Sequence, residues 1–198
     1  MAAKTTTTPK ALYFTGDPEA NAYLVEEPLA LTIGFVLDQQ VTVQKAFSSP
    51  LELSRRLGGL DAAKIAEMEP DELDRVFREK PALHRFPGNM AKRVQEHCAV
   101  VASEYGDDVS RVWTEAKDGV DLRRRLEGLP GFGEMKVKSF GAVLAKRFGI
   151  AAAEELVPPH PTLGDVDSPE ALEIYQAQKR AYKAAVRSGD STAAWPSS

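Results

Sequence analysis

The chain has 198 residues, 43% hydrophobic and 27% charged, which is ordinary for a soluble globular protein with one core or two small lobes. Its formal net charge of −4 does not indicate nucleic-acid binding, so any such binding requires a local basic surface. The lone cysteine, Cys98, excludes internal disulfides and any all-cysteine zinc or iron–sulfur site. His84, His97 and His160 lack metal-ligand spacing, so no metal site is expected.

The two ends of the chain differ in composition from the middle. Residues 1–9 form a threonine-rich polar leader without the apolar segment of a secretory signal, and we expect this leader to be disordered. Residues 188–198 are expected to be a flexible tail. No stretch approaches the roughly 20 apolar residues of a membrane span. The sequence therefore predicts a cytoplasmic protein with one helical domain over residues 10–187.

Helical periodicity dominates the middle of the chain, and strand signals are weak. Ser48 and Ser49 before Pro50 predict a helix start, and Ser168 before Pro169 predicts another. We therefore expect an all-α, two-lobed helical bundle of roughly nine helices. The predicted segments include Leu29–Phe47, Pro50–Leu57, Asp61–Met68, a helix from Pro70, Asn89–Tyr105, Val120–Leu126, Lys136–Phe148 and Pro169–Arg187.

The most informative stretch is the helical hairpin over residues 122–148. Two glycines, Gly131 and Gly133, lie between its helices and permit close approach to the backbone. Free amides at the start of the second helix form an anion site, for which DNA phosphate is the natural anion. Lys136 and Lys138 oppose the helix dipole at this end, which favours a bound anion. A plain helical corner without a ligand would show the same pattern.

Three segments in order resemble the helix-hairpin-helix DNA glycosylase superfamily, which includes endonuclease III and 3-methyladenine DNA glycosylases. Leu129-Pro130-Gly131-Phe132-Gly133 resembles the family's Leu-Pro-Gly-x-Gly hairpin. The segment Leu29–Phe47, which contains the run Leu37–Thr42, is similar to the family's early helix with its Leu-Ser-x-Gln or Leu-x-Gln-Gln signature. His84–Val101 resembles the helix before the hairpin. Together these segments extend from Pro28 to Gly149.

The resemblance implies an enzyme that flips a damaged or mispaired base out of duplex DNA and hydrolyses its glycosidic bond. It also implies a monomer. No cofactor is expected, because the family's iron–sulfur loop requires four cysteines and this chain has one. Gln39 and Gln40 would lie near the gap in the duplex, although the pair could instead simply cap a helix corner. The residues expected to contact DNA are Gln39, Gln40, Leu129, Pro130, Gly131, Phe132, Gly133, Lys136 and Lys138.

The family's catalytic aspartate follows the second hairpin helix, and here the sequence departs from the pattern. Ala151 to Ala153 occupy the usual distance, and the first aspartates are Asp165 and Asp167. The resemblance favours Asp165 as the catalytic acid, with Asp167 as the second candidate. Glu154, Glu155 or no acid at all remain open.

Bifunctional members of the family carry a lysine that attacks the sugar, and the matching position here is Met135. We therefore expect a monofunctional enzyme that leaves an abasic site. The candidates for stacking on the flipped base are Tyr13, Phe14, Phe86 and Trp113, by composition only. Two other interpretations remain open: a non-catalytic helix-hairpin-helix DNA-binding protein, and an adaptor that binds proteins through an acidic surface.

Overall fold

A computed structural model describes residues 8–189, and every regular element among them is helical. The all-α fold predicted from the sequence is thereby confirmed. The elements are α1 (Pro18–Glu26), α2 (Pro28–Leu37), α3 (Val43–Leu57), α4 (Ala62–Glu67), α5 (Pro70–Arg78), α6 (Pro87–Tyr105), α7 (Arg111–Thr114), α8 (Gly119–Glu127), α9 (Glu134–Phe148), the 3₁₀ helices Ala151–Leu156 and Leu163–Asp165, and α10 (Pro169–Arg187).

The main helix contacts fall into two groups. Helices α1 to α6 pack on one another, while α7 to α9 pack together with the two 3₁₀ helices. A single buried apolar cluster joins the groups, and the Phe35 ring of α2 packs edge-on against Phe140 of α9 with centroids 5.0 Å apart. Helix α10 buries only Leu172 and Tyr175 of its 19 residues. The contact between Phe35 and Phe140 therefore places α2 and α9 at the junction between the groups.

The segment predicted as one helix over Leu29–Phe47 is two helices separated by a short loop. Helix α2 ends at Leu37, and the Thr42 hydroxyl accepts the amide of Lys45 to cap α3. Pro50 lies inside α3 instead of starting a helix, so that boundary was wrong. The hydroxyls of Ser48 and Ser49 donate to the Lys45 carbonyl instead of capping a new helix.

Several predicted ends are confirmed by the backbone. Gly106 and Gly149 end α6 and α9 with φ of +60° and +67°, the left-handed conformation that glycine adopts without strain. The Ser168 hydroxyl accepts the amide of Ala171, as expected of the residue that caps α10. Helix α9 begins at Glu134, two residues before the predicted start.

Most of the predicted leader and tail, residues 1–7 and 190–198, lies outside the described residues. Within residues 8–189 no single helix is long and apolar enough to cross a bilayer. The sharply bent pair α1 and α2 meets that test by length and composition only.

Candidate nucleic-acid interface

The corner between α8 and α9 leaves backbone donors open. Gly133 caps α9 without a side chain, and Gly131 turns the chain at φ +90°. Hydrogen bonds from Leu129 and Phe132 close the turn itself. Among residues 8–189, no acceptor lies within hydrogen-bonding distance of four amides, those of Gly131, Gly133, Glu134 and Met135. Such a group of amides at a helix start can bind an anion.

The corner is anchored from beneath by a fully buried histidine on α6. His97 Nδ1 lies 3.3 Å from the carbonyl oxygen of Pro130, and its Nε2 lies 3.0 Å from the Thr32 hydroxyl. The imidazole also stacks on the Phe132 ring, with centroids 5.9 Å apart. Burial lowers the His97 pKa to about 4, so the ring is neutral near pH 7. The histidine thus fixes the turn and adds no charge to it.

The loop between α2 and α3 holds the two predicted glutamines differently. Gln39 is committed to the protein: its amide donates to the Val36 carbonyl at 2.8 Å and accepts from Arg93 at 2.9 Å. Gln40 is exposed, with a left-handed backbone at φ +57° that is unusual for a residue other than glycine. Only Gln40 therefore presents its side chain outward.

A buried histidine supports this loop from below. His84 Nε2 lies 3.2 Å and 3.1 Å from the carbonyl oxygens of Leu37 and Gln39, and its Nδ1 accepts the amide of Phe86 at 3.0 Å. Since Nδ1 accepts, the proton is on Nε2 and the ring is neutral; burial lowers its pKa. The single imidazole joins the loop to the segment that carries Phe86.

Of the four aromatic candidates, Phe86 alone is classed as exposed, at 37% of its surface. Phe14 and Trp113 lie in the core at 0% and 9%, and Tyr13 is half-buried. The Arg85 guanidinium lies 5.3 Å from the centre of the Phe86 ring. Phe86 is therefore the most exposed of the four candidate rings, and a cation lies beside it.

Four cavities follow one another across this side of the molecule. The corner cavity, about 410 Å³, shares Arg93 with the loop cavity of about 450 Å³, which contains Gln39, Gln40 and Phe86. The bridging cavity, about 280 Å³, includes both glutamines and leads to the lysine cavity, about 320 Å³, through Asp38, Lys179 and Lys183. The predicted hairpin and the loop that carries Gln39 and Gln40 thus belong to one surface.

This surface is locally basic although the chain is acidic. The four cavities are lined by seven cationic side chains and three carboxylates, the latter being Asp38, Glu96 and Glu127. Because the chain carries a net negative charge, nucleic-acid binding would require a local basic surface, and this excess of positive charge is such a surface. The cationic residues are Lys92, Arg93, Lys136, Lys138, Lys179, Arg180 and Lys183.

Lys136 and Lys138 line the lysine cavity and not the corner cavity. Lys136 Nζ donates to the Val36 carbonyl at 3.1 Å, and Lys138 Nζ lies 2.6 Å from the Glu134 carboxylate. Burial, assisted by the charge of Arg93, lowers the Lys136 pKa to about 8, and Asp38 opposes that shift. Their role beside a phosphate stays a prediction.

The two aspartates predicted as catalytic lie at the start of the segment leading to α10. Asp165 Oδ2 accepts from the amide of Thr162 at 2.8 Å and from its hydroxyl, and Oδ1 lies 2.6 Å from Lys146 Nζ. These bonds outweigh burial and hold the Asp165 pKa below its ordinary value. Asp167 is exposed and precedes the cap of α10. Neither lines any of the four cavities.

Comparisons of the chain with models of protein families, with curated proteins and with solved structures found no match. Within residues 8–189, no three His, Cys, Asp or Glu side chains are placed to hold a metal ion. The interface must therefore be interpreted from its own geometry.

Sequence reasoning did not identify three contributors to this surface: Asp38, Arg93 and the cationic half of α10. Asp38 carried a signal, because it directly precedes the two glutamines and ends a buried helix. Arg93 lay off the buried stripe of its helix, as a solvated charge also would. The placement of Lys179 and Lys183 depends on how α10 packs, which no local pattern specifies.

Proposed function

We propose that this protein is a DNA glycosylase that releases a damaged or mispaired base from duplex DNA by hydrolysis of the N-glycosidic bond. One observation carries the proposal: the four open amides at Gly131, Gly133, Glu134 and Met135 lie on a cavity-lined face with an excess of cations. The resemblance of the hairpin residues to that family agrees with this use.

The corner supplies a binding site for a DNA phosphate. Amides at a helix start carry partial positive charge, and here no side-chain cap competes for them. Arg93 lines the same cavity and adds a full charge, opposed by Glu127. We expect one strand to lie across the corner, with its neighbouring phosphates along the cationic face.

The loop cavity suits the gap that a flipped nucleotide leaves. Gln40 is exposed, and its amide can both donate to and accept from the orphaned partner base. Phe86 lines the same cavity and can stack on a neighbouring base. Gln39 acts as a support, because both ends of its amide are already bonded.

The chemistry requires a carboxylate beside the sugar. When the C1′–N bond breaks, its electron pair leaves with the base and positive charge develops on the sugar. Water then bonds to C1′ and gives up a proton. We assign the carboxylate to Asp38, since it alone among the acids lines the lysine cavity next to α9. Asp165 and Asp167 remain predictions, and the Asp165 carboxylate already has three bonding partners, the Lys146 amine and the amide and hydroxyl of Thr162.

Base release is tested on duplexes that each contain one alkylated, deaminated, oxidised or mismatched base. Asp38→Asn should slow release by roughly 100-fold or more while leaving DNA affinity unchanged. Asp165→Asn and Asp167→Asn, the matched controls, should retain most activity. Loss of activity in Asp165→Asn with an intact fold would return the role to that residue. Intact duplexes throughout the panel, with DNA binding retained, would leave the non-catalytic interpretation.

DNA binding is tested by Gly133→Ala. A methyl group at this position meets no protein atom within 4 Å and the backbone φ is −84°, so folding should be unaffected. The same methyl obstructs a phosphate at the open amides, so affinity should fall several-fold. Gly16→Ala, which also adds a methyl in open space, is the control. Equal affinity of the two variants would contradict the phosphate site.

The number of chemical steps is tested on a duplex with a preformed abasic site. Met135, at the position of the family's lysine, is 65% exposed and cannot attack a sugar as an amine. We therefore expect no strand cleavage and no borohydride-trapped complex. Trapping that disappears in Lys136→Met would overturn the monofunctional assignment.

A further inference from the structure

The lysine cavity has an unusual balance of charge for a pocket that receives a nucleobase. Four lysines line it, namely Lys136, Lys138, Lys179 and Lys183, together with the single carboxylate of Asp38. Glu134 neutralises Lys138 at 2.6 Å, and it does not itself line the cavity. Burial lowers the pKa of Lys136, so the protein disfavours a positive charge at this partly buried position.

Two of the three aromatic rings that line the cavity are already in use. Lys179 Nζ lies 5.5 Å from the centre of the Tyr175 ring, in the position that an external cation would occupy. Phe35 is 1% exposed and packs edge-on against Phe47 and Phe140, and the third ring, His160, lies with Nδ1 3.1 Å from the Pro161 carbonyl oxygen. A positively charged base, such as one alkylated on a ring nitrogen, would therefore meet ammonium groups, while the Tyr175 ring already holds a cation and the Phe35 ring is buried.

Building on the proposed glycosylase function, we propose that the lysine cavity accepts a neutral base bearing carbonyl oxygens, such as a deaminated or oxidised base, and disfavours cationic alkylated bases. An ammonium group has three donors, and Lys136 uses one of them on Val36, so it can donate to a carbonyl oxygen.

The charge of the departing base also favours neutral bases over cationic ones in this cavity. A neutral base departs with the bonding electron pair as an anion and then takes a proton from water, whereas a cationic base departs neutral. Ammonium groups stabilise the developing anion and assist only the first of these departures. The cavity thus complements the transition state for neutral bases, while Asp38 complements the positive sugar.

The preference can be measured without any bond cleavage. Duplexes carrying a 2′-fluoroarabino nucleotide keep the glycosidic bond, because fluorine disfavours positive charge on the sugar. We compare affinities for such duplexes containing uracil, hypoxanthine or 8-oxoguanine with one containing 7-methylguanine. At least one of the three neutral bases should bind about tenfold tighter than the cationic 7-methylguanine, a difference of about 1.4 kcal/mol.

Charge-removing variants assign the effect to the cavity. Lys179→Met and Lys136→Met should each reduce the difference in affinity between neutral bases and 7-methylguanine. Lys179→Met should fold, because Lys179 lies on α10, which buries few side chains. The control is Lys64→Met: the Lys64 side chain is 82% exposed and does not line the cavity, so this variant should leave the difference in affinity unchanged.

Three results are decisive. Equal or tighter binding of 7-methylguanine would overturn the charge preference even if the enzyme excises bases. A preserved preference without excision would retain it and reject the glycosylase. Failure to bind any duplex would overturn both.

Discussion

Helices α9 and α10 each begin at a short turn, and the two turns treat the backbone amides in opposite ways. Before α10, Thr162 and Asp165 cap one another's backbone, and Ser168 accepts the amide of Ala171. Before α9, Gly133 offers no side chain and four amides have no acceptor among residues 8–189. The first turn is satisfied within the protein and stabilises it. The second leaves donors available to a ligand.

The largest expected effect concerns the anchor of the open turn. His97 has a pKa of about 4 when folded and about 6.5 when unfolded, so the unfolded chain binds protons first as pH falls. The free energy of unfolding should therefore fall by about 3 kcal/mol from this group alone between pH 7 and pH 4. Urea titrations of wild type and His97→Gln between pH 7 and pH 4 measure this contribution as the difference between the two proteins in how the free energy of unfolding changes with pH. Parallel curves for the two proteins would contradict the assignment.

Gly131→Ala should destabilise the open turn by about 2 kcal/mol. Gly131 has φ +90°, and an added methyl would lie 3.1 Å from a Val36 methyl. Thermal or urea unfolding measures the loss of stability, and Gly133→Ala is the control, whose stability should equal that of wild type. Because Gly131→Ala combines strain with any effect on phosphate, weakened DNA binding by that variant alone would not establish the phosphate site.

Asp165→Asn tests whether the second turn is structural. Replacement removes the ion pair with Lys146 and weakens the reciprocal cap, at a cost of about 1 kcal/mol. Since the folded pKa is lowered, this stabilisation is present above the unfolded pKa of about 3.9 and is lost as pH falls through the folded value. The difference from wild type should shrink below about pH 4. A constant difference in urea titrations would contradict this.

The smallest effect concerns the partly buried amine beside the open turn. Burial disfavours the charged form of Lys136, so Lys136→Met should raise the free energy of unfolding at pH 7. The gain should be less than about 1 kcal/mol, because the variant also loses the hydrogen bond to the Val36 carbonyl. In the wild type, the cost of burying the charged amine is lost as pH rises from the folded pKa of about 8 toward the unfolded pKa of about 10.4, because the folded protein releases this proton first. The gain should therefore vanish near pH 10, and a gain that persists would exclude burial as its cause.

Local signals in the sequence predicted most helix ends. Asp61 and Ser168 cap their helices, and Gly106 and Gly149 end theirs, because capping depends on residues next to one another. Helix α1 was missed although Asp17 and Pro18 are a regular start signal, since its apolar pattern is short. The break at residues 38–42 was missed because periodicity continued across it.

The candidate site was predicted only in part. The hairpin corner and the exposed Gln40 were expected, since their residue types require unusual backbone or solvent exposure. Asp165 resembled a catalytic acid by position, yet its ion pair with Lys146 depends on α9 lying alongside, while its bonds to Thr162 are local. Asp38, at the end of α2, and Lys179, on α10, line the same cavity, and such long-range placement is set by packing and not by local pattern.

The imidazole of His84 has a consequence for the dynamics of association. It links the carbonyls of Leu37 and Gln39 to the amide of Phe86, so the two protruding side chains, Gln40 and Phe86, share one rigid support. In the proposed complex with duplex DNA, little backbone entropy would then be lost when the duplex docks against them. A mobile pair of loops would have to be ordered during each encounter, whereas this pair is preorganised before the encounter begins.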